Sequence, residues 1–310
     1  MRVSSDISRW NMAKQSEITT PESNDHLRHD IESAVTRDVT FALSEDIGNG
    51  DLTAQLIAAD KRAVASLMTR VDGVLAGQEW FNRAFTELDP DCELFWHVGD
   101  GKAITAGQPL CEVSGNARAM LSAERTALNF LQTMSAVATK TAAYVAAVRG
   151  TKAKILDTRK TLPGLRVALK YAVAVGGGVN HRIGLFDGIL IKENHIVAAG
   201  SIGAALRSAF DLVKHAAAAD TMIEIEVETL EQLEEALDGG ARLILLDNFS
   251  LETIREAVRL NAGRAELEAS GGVNLQSVRE IAETGVDRIS IGTLTKDIQA
   301  LDLSMRFKLH

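Results

Sequence analysis

The sequence predicts an α/β protein whose C-terminal half is an incomplete parallel barrel. Three observations carry that expectation. After Gly150 the chain alternates six apolar, strand-like runs with helix-like segments, the pattern of a parallel sheet with right-handed crossovers. No Gly-x-Gly-x-x-Gly follows the first of these strands, so an open dinucleotide-binding sheet loses its main support. Six strands are also fewer than the eight of a regular barrel.

The elements read as follows in chain order. Residues 1–30 are polar and aperiodic, an extension or a loosely docked first helix. A helix is expected over His29–Leu43, with Ile31, Val35, Val39 and Ala42 on one face. The acidic, glycine-bearing run Glu45–Thr53 is a turn. Short strands follow at Ala63–Thr69, Gly73–Ala76, Glu93–His97 and Pro109–Ser114, a segment similar to the β-hammerhead of biotinyl-type domains. It lacks the carrier lysine signature and reads as scaffold. A long Ala-rich helix is expected over Ser122–Val148. The six later strands are Ala153–Leu156, Gly188–Ile191, Met222–Val227, Arg242–Leu246, Glu266–Ala269 and Arg288–Ile291. Helices lie between them at Leu165–Val175, Ile202–Ala216, Leu230–Leu237, Leu251–Leu260 and Leu275–Glu283.

Composition narrows the function classes. The 310 residues are 46% hydrophobic and 24% charged, which excludes wholesale disorder and allows two domains. A net charge of −9 argues against a nucleic-acid or membrane-surface binder. No apolar run approaches the roughly 20 residues of a membrane span, and no signal core opens the chain. Cys92 and Cys111 have no metal spacing and read as reduced core thiols of a cytoplasmic protein.

Ligands of parallel α/β folds gather at the carboxyl ends of the strands. Each strand here runs into polar chemistry at that end. The six groups are Asp157-Thr158-Arg159-Lys160, Lys192-Glu193-Asn194-His195, the alternating Glu224, Glu226 and Glu228, Asp247-Asn248, Ser270-Gly271-Gly272 and Gly292-Thr293. Singly, a charge after a strand is a solvated loop and Gly-Gly is a turn. Six such groups at six strand ends are not explained that way. The three glutamates share one face by the period-2 rule, where a covered parallel strand is normally apolar. Arg159, Lys160, Arg182 and Lys192 suit a substrate with several carboxylates or phosphates. Glu226 and Asp247 suit sugar hydroxyls or Mg²⁺. Gly271, Gly272 and Gly292 suit a phosphate held by backbone N–H groups.

The histidines divide. His26, His29, His215 and His310 read as solvated, and His97 as structural. His181, beside Arg182 and a triple glycine, reads as functional, whereas His195 is either a ligand contact or a helix-capping neighbour. No Gly-x-Ser-x-Gly elbow is present.

Three runs in order, Asp157–Arg166 (DTRKTLPGLR), Gly176–Arg182 (GGGVNHR) and Ile191–His195 (IKENH), resemble the quinolinate phosphoribosyltransferase family. Glu45–Thr53, Glu124–Asn129, Leu246–Phe249 and Ser270–Gly272 match the same family, and the resemblance spans about residues 30–305. It implies an N-terminal α/β sandwich over 29–148, an incomplete, about six-stranded barrel over 149–295, a flexible extension over 1–28, and a segment over 296–310 packing back on the N-terminal domain. It implies transfer of phosphoribosyl from phosphoribosyl pyrophosphate to quinolinate, giving nicotinate mononucleotide, pyrophosphate and CO₂. Mg²⁺ is implied, with no organic cofactor. The implied assembly is a homodimer or homohexamer in which Arg125 reaches the neighbouring subunit's site.

The resemblance also implies residue roles. Thr158, Arg159, His181, Arg182 and Lys192 hold quinolinate with Arg125. Lys160 contacts phosphoribosyl pyrophosphate, and Glu226 and Asp247 hold its ribose hydroxyls and the metal, these three being the catalytic set. Ser270, Gly271, Gly272, Ile291, Gly292 and Thr293 cradle the 5′-phosphate. Glu224 or Glu228 stays open as a substitute for Glu226. Two other readings stand beside this one: a paralogous transferase with another acceptor, and a non-catalytic sensor of phosphorylated metabolites.

Overall fold

A computed structural model describes residues 25–215 and 221–309 of the chain, with the side chains of residues 25–29 and 309 left aside. The expectations for residues 1–24, for the side chains of His26 and His29, for Ala216 and for His310 therefore lie outside what is described. The first helix, α1 (Asp25–Ile47), runs longer than expected at both ends. Strands β1 (Arg62–Thr69) and β2 (Gly73–Val74) follow.

Next comes a helix that the aromatic residues concealed, α2 (Gln78–Leu88), inside a segment read as strands. Trp80, Phe81, Ala84 and Phe85 bury one face of it at helical spacing. Its cap is not local. Gly77 occupies the left-handed region at φ 109°, and Asp100 accepts hydrogen bonds from the Gly77 (2.8 Å) and Gln78 N–H groups. A cap supplied 22 residues downstream leaves no start signal in the sequence.

Strands β3 (Glu93–Trp96), β4 (Ala103–Ile104) and β5 (Pro109–Asn116) complete the unit. The long helix α3 (Ala117–Ala147) starts five residues before the expected Ser122, where the Asn116 side chain accepts from the Arg118 and Ala119 N–H groups at 3.0 and 3.2 Å.

The later half alternates as expected, with one helix, α5, added where the sequence showed only a strand-end run: β6 (Lys154–Leu156), α4 (Arg166–Val175), β7 (Gly188–Ile191), α5 (Glu193–Ala199), α6 (Ile202–His215), β8 (Met222–Val227), α7 (Leu230–Asp238), β9 (Leu243–Asp247), α8 (Leu251–Asn261), β10 (Glu266–Ser270), α9 (Val278–Glu283) and β11 (Arg288–Ser290). Its six strands form one parallel sheet in the order β6-β11-β10-β9-β8-β7. The first two strands in sequence, β6 and β7, are the two edges, so the barrel is incomplete. The β6 edge is partly covered by the chain at Val179, which bridges to Leu156.

The last strand, β12 (Leu303–Leu309), returns to the first unit and pairs antiparallel with β1, from Ala63↔Leu309 to Thr69↔Leu303. It completes a four-stranded sheet in the order β12-β1-β5-β3. Buried bonds tie the helices together: the Trp80 indole N–H donates to Asp38 (3.1 Å), and the Tyr171 hydroxyl on α4 donates to Asp100 (2.8 Å). No single helix among the described residues is long and apolar enough to cross a membrane.

Candidate active site at the carboxyl ends of the strands

The sheet collects the predicted polar groups at one end. Asp157, Thr158, Arg159 and Lys160 leave β6, and Lys192 leaves β7. Glu224 and Glu226 lie on β8, Asp247 ends β9 and Ser270 ends β10. Asp247 and Ser270 are register partners, so the carboxylate of β9 and the glycine turn after β10 are neighbours.

Two glycine turns shape the ends of β10 and β11. Gly271 sits at φ 102°, and a Cβ there would lie 2.2 Å from Asn248 Oδ1. A Cβ on Gly292 would lie 2.9 Å from Lys160 Cδ, so the Lys160 side chain rests against that loop. The backbone beside it is anchored by Lys140 on α3, whose ammonium donates to the Thr293 and Asp297 carbonyls at 2.8 Å. Lys140 was not singled out in the sequence, because nothing local marks a lysine in a helix as a loop anchor.

The cationic end is crowded and under-neutralised. Arg159 is half-buried, its Nε is buried without a hydrogen-bond partner, and its side chain donates no hydrogen bond among the described residues. Burial and the like charge of Arg159 press the pKa of Arg182 down. The Arg182 guanidinium makes one hydrogen bond among the described residues, to the Gly188 carbonyl at 2.9 Å. Two guanidinium groups held near each other, neither in an ion pair among the described residues, suit an anion. Arg166 braces the segment, donating to Thr161 Oγ1 (3.2 Å), the Ile183 carbonyl (3.2 Å) and the Arg159 carbonyl (3.3 Å).

The three alternating glutamates separate. Glu226 pairs with the Lys192 ammonium. Glu224 is fully buried and accepts from His181 Nε2 at 2.7 Å. Glu228 lies past the strand end and is exposed. His181 has both ring nitrogens engaged, since Nδ1 accepts from the Arg182 N–H at 2.8 Å. Those partners put the ring proton on Nε2. His195 proves to be the capping neighbour: its Nδ1 accepts from the Lys192 N–H at 2.9 Å at the start of α5. Arg125 stands apart from all of these. It is exposed on α3, about four turns and roughly 22 Å along the helix axis before Lys140.

Glu268 on β10, missed in the sequence because its strand alternates unremarkably, is fully buried beside Glu224 and His181. Burial and the negative charge of Glu224 raise its carboxyl to about 7. Ligand atoms of His181, Glu224 and Glu268 lie within 4.8 Å of one another. A proton on Glu268 removes one of the two buried negative charges, so the group reads as a carboxyl pair holding a proton, with His181 committed to Glu224.

A stability prediction follows from the direction of that shift. An unfolded Glu titrates near 4.3, so between about pH 4.3 and about 7 the folded state holds a proton that the unfolded state has lost. Stability therefore falls as pH rises through that window. Glu268→Gln removes that proton dependence and keeps a neutral side chain of the same shape. Urea denaturation should find the variant close to wild type at pH 5 and more stable by on the order of 2–3 kcal/mol at pH 8. Equal midpoints at pH 8 would contradict a protonated Glu268.

Mg²⁺ takes hard oxygen ligands and commonly binds through one or two carboxylates plus substrate phosphates. Glu226 and Asp247, on adjacent strands at the sugar end, supply that donor set. Cys92 and Cys111 do not: both are free and buried, with thiols pushed up by burial to about 11 and about 12.

An incomplete barrel that brings two guanidinium groups, two carboxylates and two glycine turns to the carboxyl ends of its strands places this chain in the class of α/β-barrel proteins with an anion-binding site. Comparison with known proteins narrows the class. Residues 38–135 match the N-terminal domain of quinolinate phosphoribosyl transferase, and residues 137–306 match its C-terminal domain. The chain belongs to the quinolinate phosphoribosyltransferase family. It is 45% identical over 284 residues to the nicotinate-nucleotide pyrophosphorylase [carboxylating] of Mycobacterium leprae, covering 89% of this chain and 98% of that one. It is 40% identical to quinolinate phosphoribosyltransferase [decarboxylating] 1b of Nicotiana tabacum, covering 86% and 81%. The solved nicotinate-nucleotide pyrophosphorylase of Francisella tularensis superposes with a TM-score of 0.83 at 43% identity, covering 89% and 96%.

Proposed function

We infer that this chain is a decarboxylating quinolinate phosphoribosyltransferase, a pentosyltransferase of NAD biosynthesis. It joins quinolinate to the ribose of phosphoribosyl pyrophosphate and releases pyrophosphate and CO₂. The observation that carries the reading is the uncommitted Arg159 guanidinium beside Arg182, in a chain that matches both domains of the family. A dicarboxylate is the acceptor that such a pair favours.

The chemistry asks the protein for position and charge rather than for a nucleophile. The pyridine nitrogen attacks the anomeric carbon, and pyrophosphate leaves with its electron pair. Positive charge grows on the ribose ring, and Glu226 and Asp247 face it. Glu226 and Asp247 would hold Mg²⁺, which would supply positive charge to the leaving pyrophosphate. Arg159 and Arg182 bind the quinolinate carboxylates, with Thr158 and Arg125 completing the pocket. Lys192, paired with Glu226, supplies a further cation for the quinolinate carboxylates. His181 supports the pocket through Arg182, since its own nitrogens are spent. Lys160, with Ser270–Gly272 and Ile291–Thr293, holds the phosphates. Once ribosylated, the ring nitrogen's positive charge stabilises the electron pair left on the ring carbon when the C–C bond to CO₂ breaks, and that carbon then takes a proton from water, so no organic cofactor is required.

Arg125 serves the neighbouring subunit, in a homodimer or a larger ring of dimers. Its distance along α3 from the Lys140 anchor supports that role, as do exposed apolar residues such as Leu52, Leu56, Leu185 and Phe186. Free buried thiols suit a reducing compartment, and the cytoplasm is the proposed location.

The test is turnover. Protein with phosphoribosyl pyrophosphate and Mg²⁺ should yield nicotinate mononucleotide and CO₂ from quinolinate and no product from nicotinate. Product from nicotinate alone would move the chain to another transferase, and no turnover in either tube would favour the paralogue or the sensor.

A further inference from the structure

The segment that carries His181 and Arg182 is held by a buried charge network outside the contacts described so far. Lys170 on α4 is 2% exposed and Asp157 is fully buried, and they form an ion pair. Lys170 Nζ also donates to the His181 carbonyl at 2.7 Å. Asp157 Oδ1 accepts from the His181 N–H at 2.9 Å. The Asn180 amide donates to Asp157 Oδ2 (2.6 Å) and to the Lys170 carbonyl (2.8 Å). The pair thus grips both backbone groups of His181 and the side chain before it.

The same segment is pressed from behind. A Cβ on Gly176 would lie 2.5 Å from the Ala138 carbonyl, and one on Gly178 would lie 2.8 Å from Thr141 and Val173 side chains. It has one seat, and the ion pair sets its height against the strand ends.

Burial alone is a poor reason for this pair. Replacing a buried ion pair by apolar residues of similar volume is often neutral or stabilising. What an apolar pair cannot do is hold a backbone N–H and a backbone C=O of one residue at once. We propose that Lys170 and Asp157, with Asn180, are positioning residues that aim Arg182 at the quinolinate carboxylates and so set quinolinate affinity, independently of fold stability. The proposal rests on the reading of Arg182 as a quinolinate contact.

Three variants test it, each measured for Tm, kcat and the KM of both substrates. Lys170→Met leaves Asp157 unpaired and should lower Tm while raising quinolinate KM at least about tenfold. Adding Asp157→Leu removes the orphan charge and should bring Tm back to within a few degrees. Quinolinate KM should stay raised by about tenfold, with the KM for phosphoribosyl pyrophosphate changed by less than about twofold. Asn180→Ala, at an exposed loop position, leaves Asp157 Oδ2 without that partner; it should lower Tm by only a few degrees and still raise quinolinate KM by roughly three- to tenfold. Normal quinolinate KM in both Asn180→Ala and the double variant would overturn the proposal. Arg182→Ala is the control. If it raises quinolinate KM while those two variants do not, only the positioning role fails. If it leaves quinolinate KM unaltered, the underlying reading of Arg182 fails and takes the proposal with it.

Discussion

An equal mixture of Arg125→Ala and Asp247→Ala protein, unfolded and reassembled together, is expected to recover about a quarter of wild-type activity, although each variant alone is nearly inactive. The figure follows from symmetry. If each site takes Arg125 from one subunit and Asp247 from the other, random pairing makes about half the dimers mixed. Each mixed dimer has one site with both residues intact and one with neither. Asp247 ends β9 beside Ser270, so its loss removes charge facing the ribose and should cost about 10²–10³ in kcat. Arg125 touches none of the strand-end groups among the described residues and is exposed, so its loss should leave Tm unchanged. Activity that fails to rise in verified mixed oligomers would place both residues in one subunit's site and remove the shared-site reading.

Arg159→Met should separate function from stability in opposite directions. The side chain of Arg159 donates no hydrogen bond among the described residues, and its Nε is buried and unpartnered. Its charge also presses on Arg182. Replacement by an unbranched apolar side chain removes a desolvated donor and a like-charge neighbour, so Tm should be equal to or above wild type. Quinolinate should bind far worse. Losing a charge-assisted bidentate contact costs about 3 kcal/mol, or about a hundredfold in kcat/KM for quinolinate. The KM for phosphoribosyl pyrophosphate should change little. A Tm loss of several degrees with normal quinolinate kinetics would make Arg159 a structural residue instead.

Much of this molecule is legible in order along the chain. The six later strands and their helices fall within a few residues of where apolar periodicity puts them, because a covered parallel strand must be apolar and a crossover helix must be amphipathic. The strand-end groups were visible for the same reason: a charge that interrupts such a pattern marks the point where the chain leaves the core. What the pattern concealed was distant partnership. Helix α2 is capped by Asp100, far along the chain, and its aromatic face fits a strand as readily as a helix. Strand β12 is one residue set among many until β1 supplies its ladder.

The same division runs through the site. The sequence by itself determined the inventory: which cations, carboxylates and glycines stand at which strand ends, and therefore the family and the reaction. Only the tertiary structure decided which of them are free to meet a ligand. Glu224, Glu226 and Glu228 are equivalent by spacing, yet one binds His181, one binds Lys192 and one reaches solvent. His181 and His195 both look available, yet both are spent on bonds within the fold. Asp157 and Lys170 look like ordinary motif residues, yet they are locked together in the interior. Spacing fixes the face on which a side chain lies. Which charge finds a partner depends on the atoms that other elements bring within about 3 Å, and for the ionic pairs those atoms lie far along the chain: 43 positions for His181 and Glu224, 34 for Lys192 and Glu226, and 13 for Asp157 and Lys170.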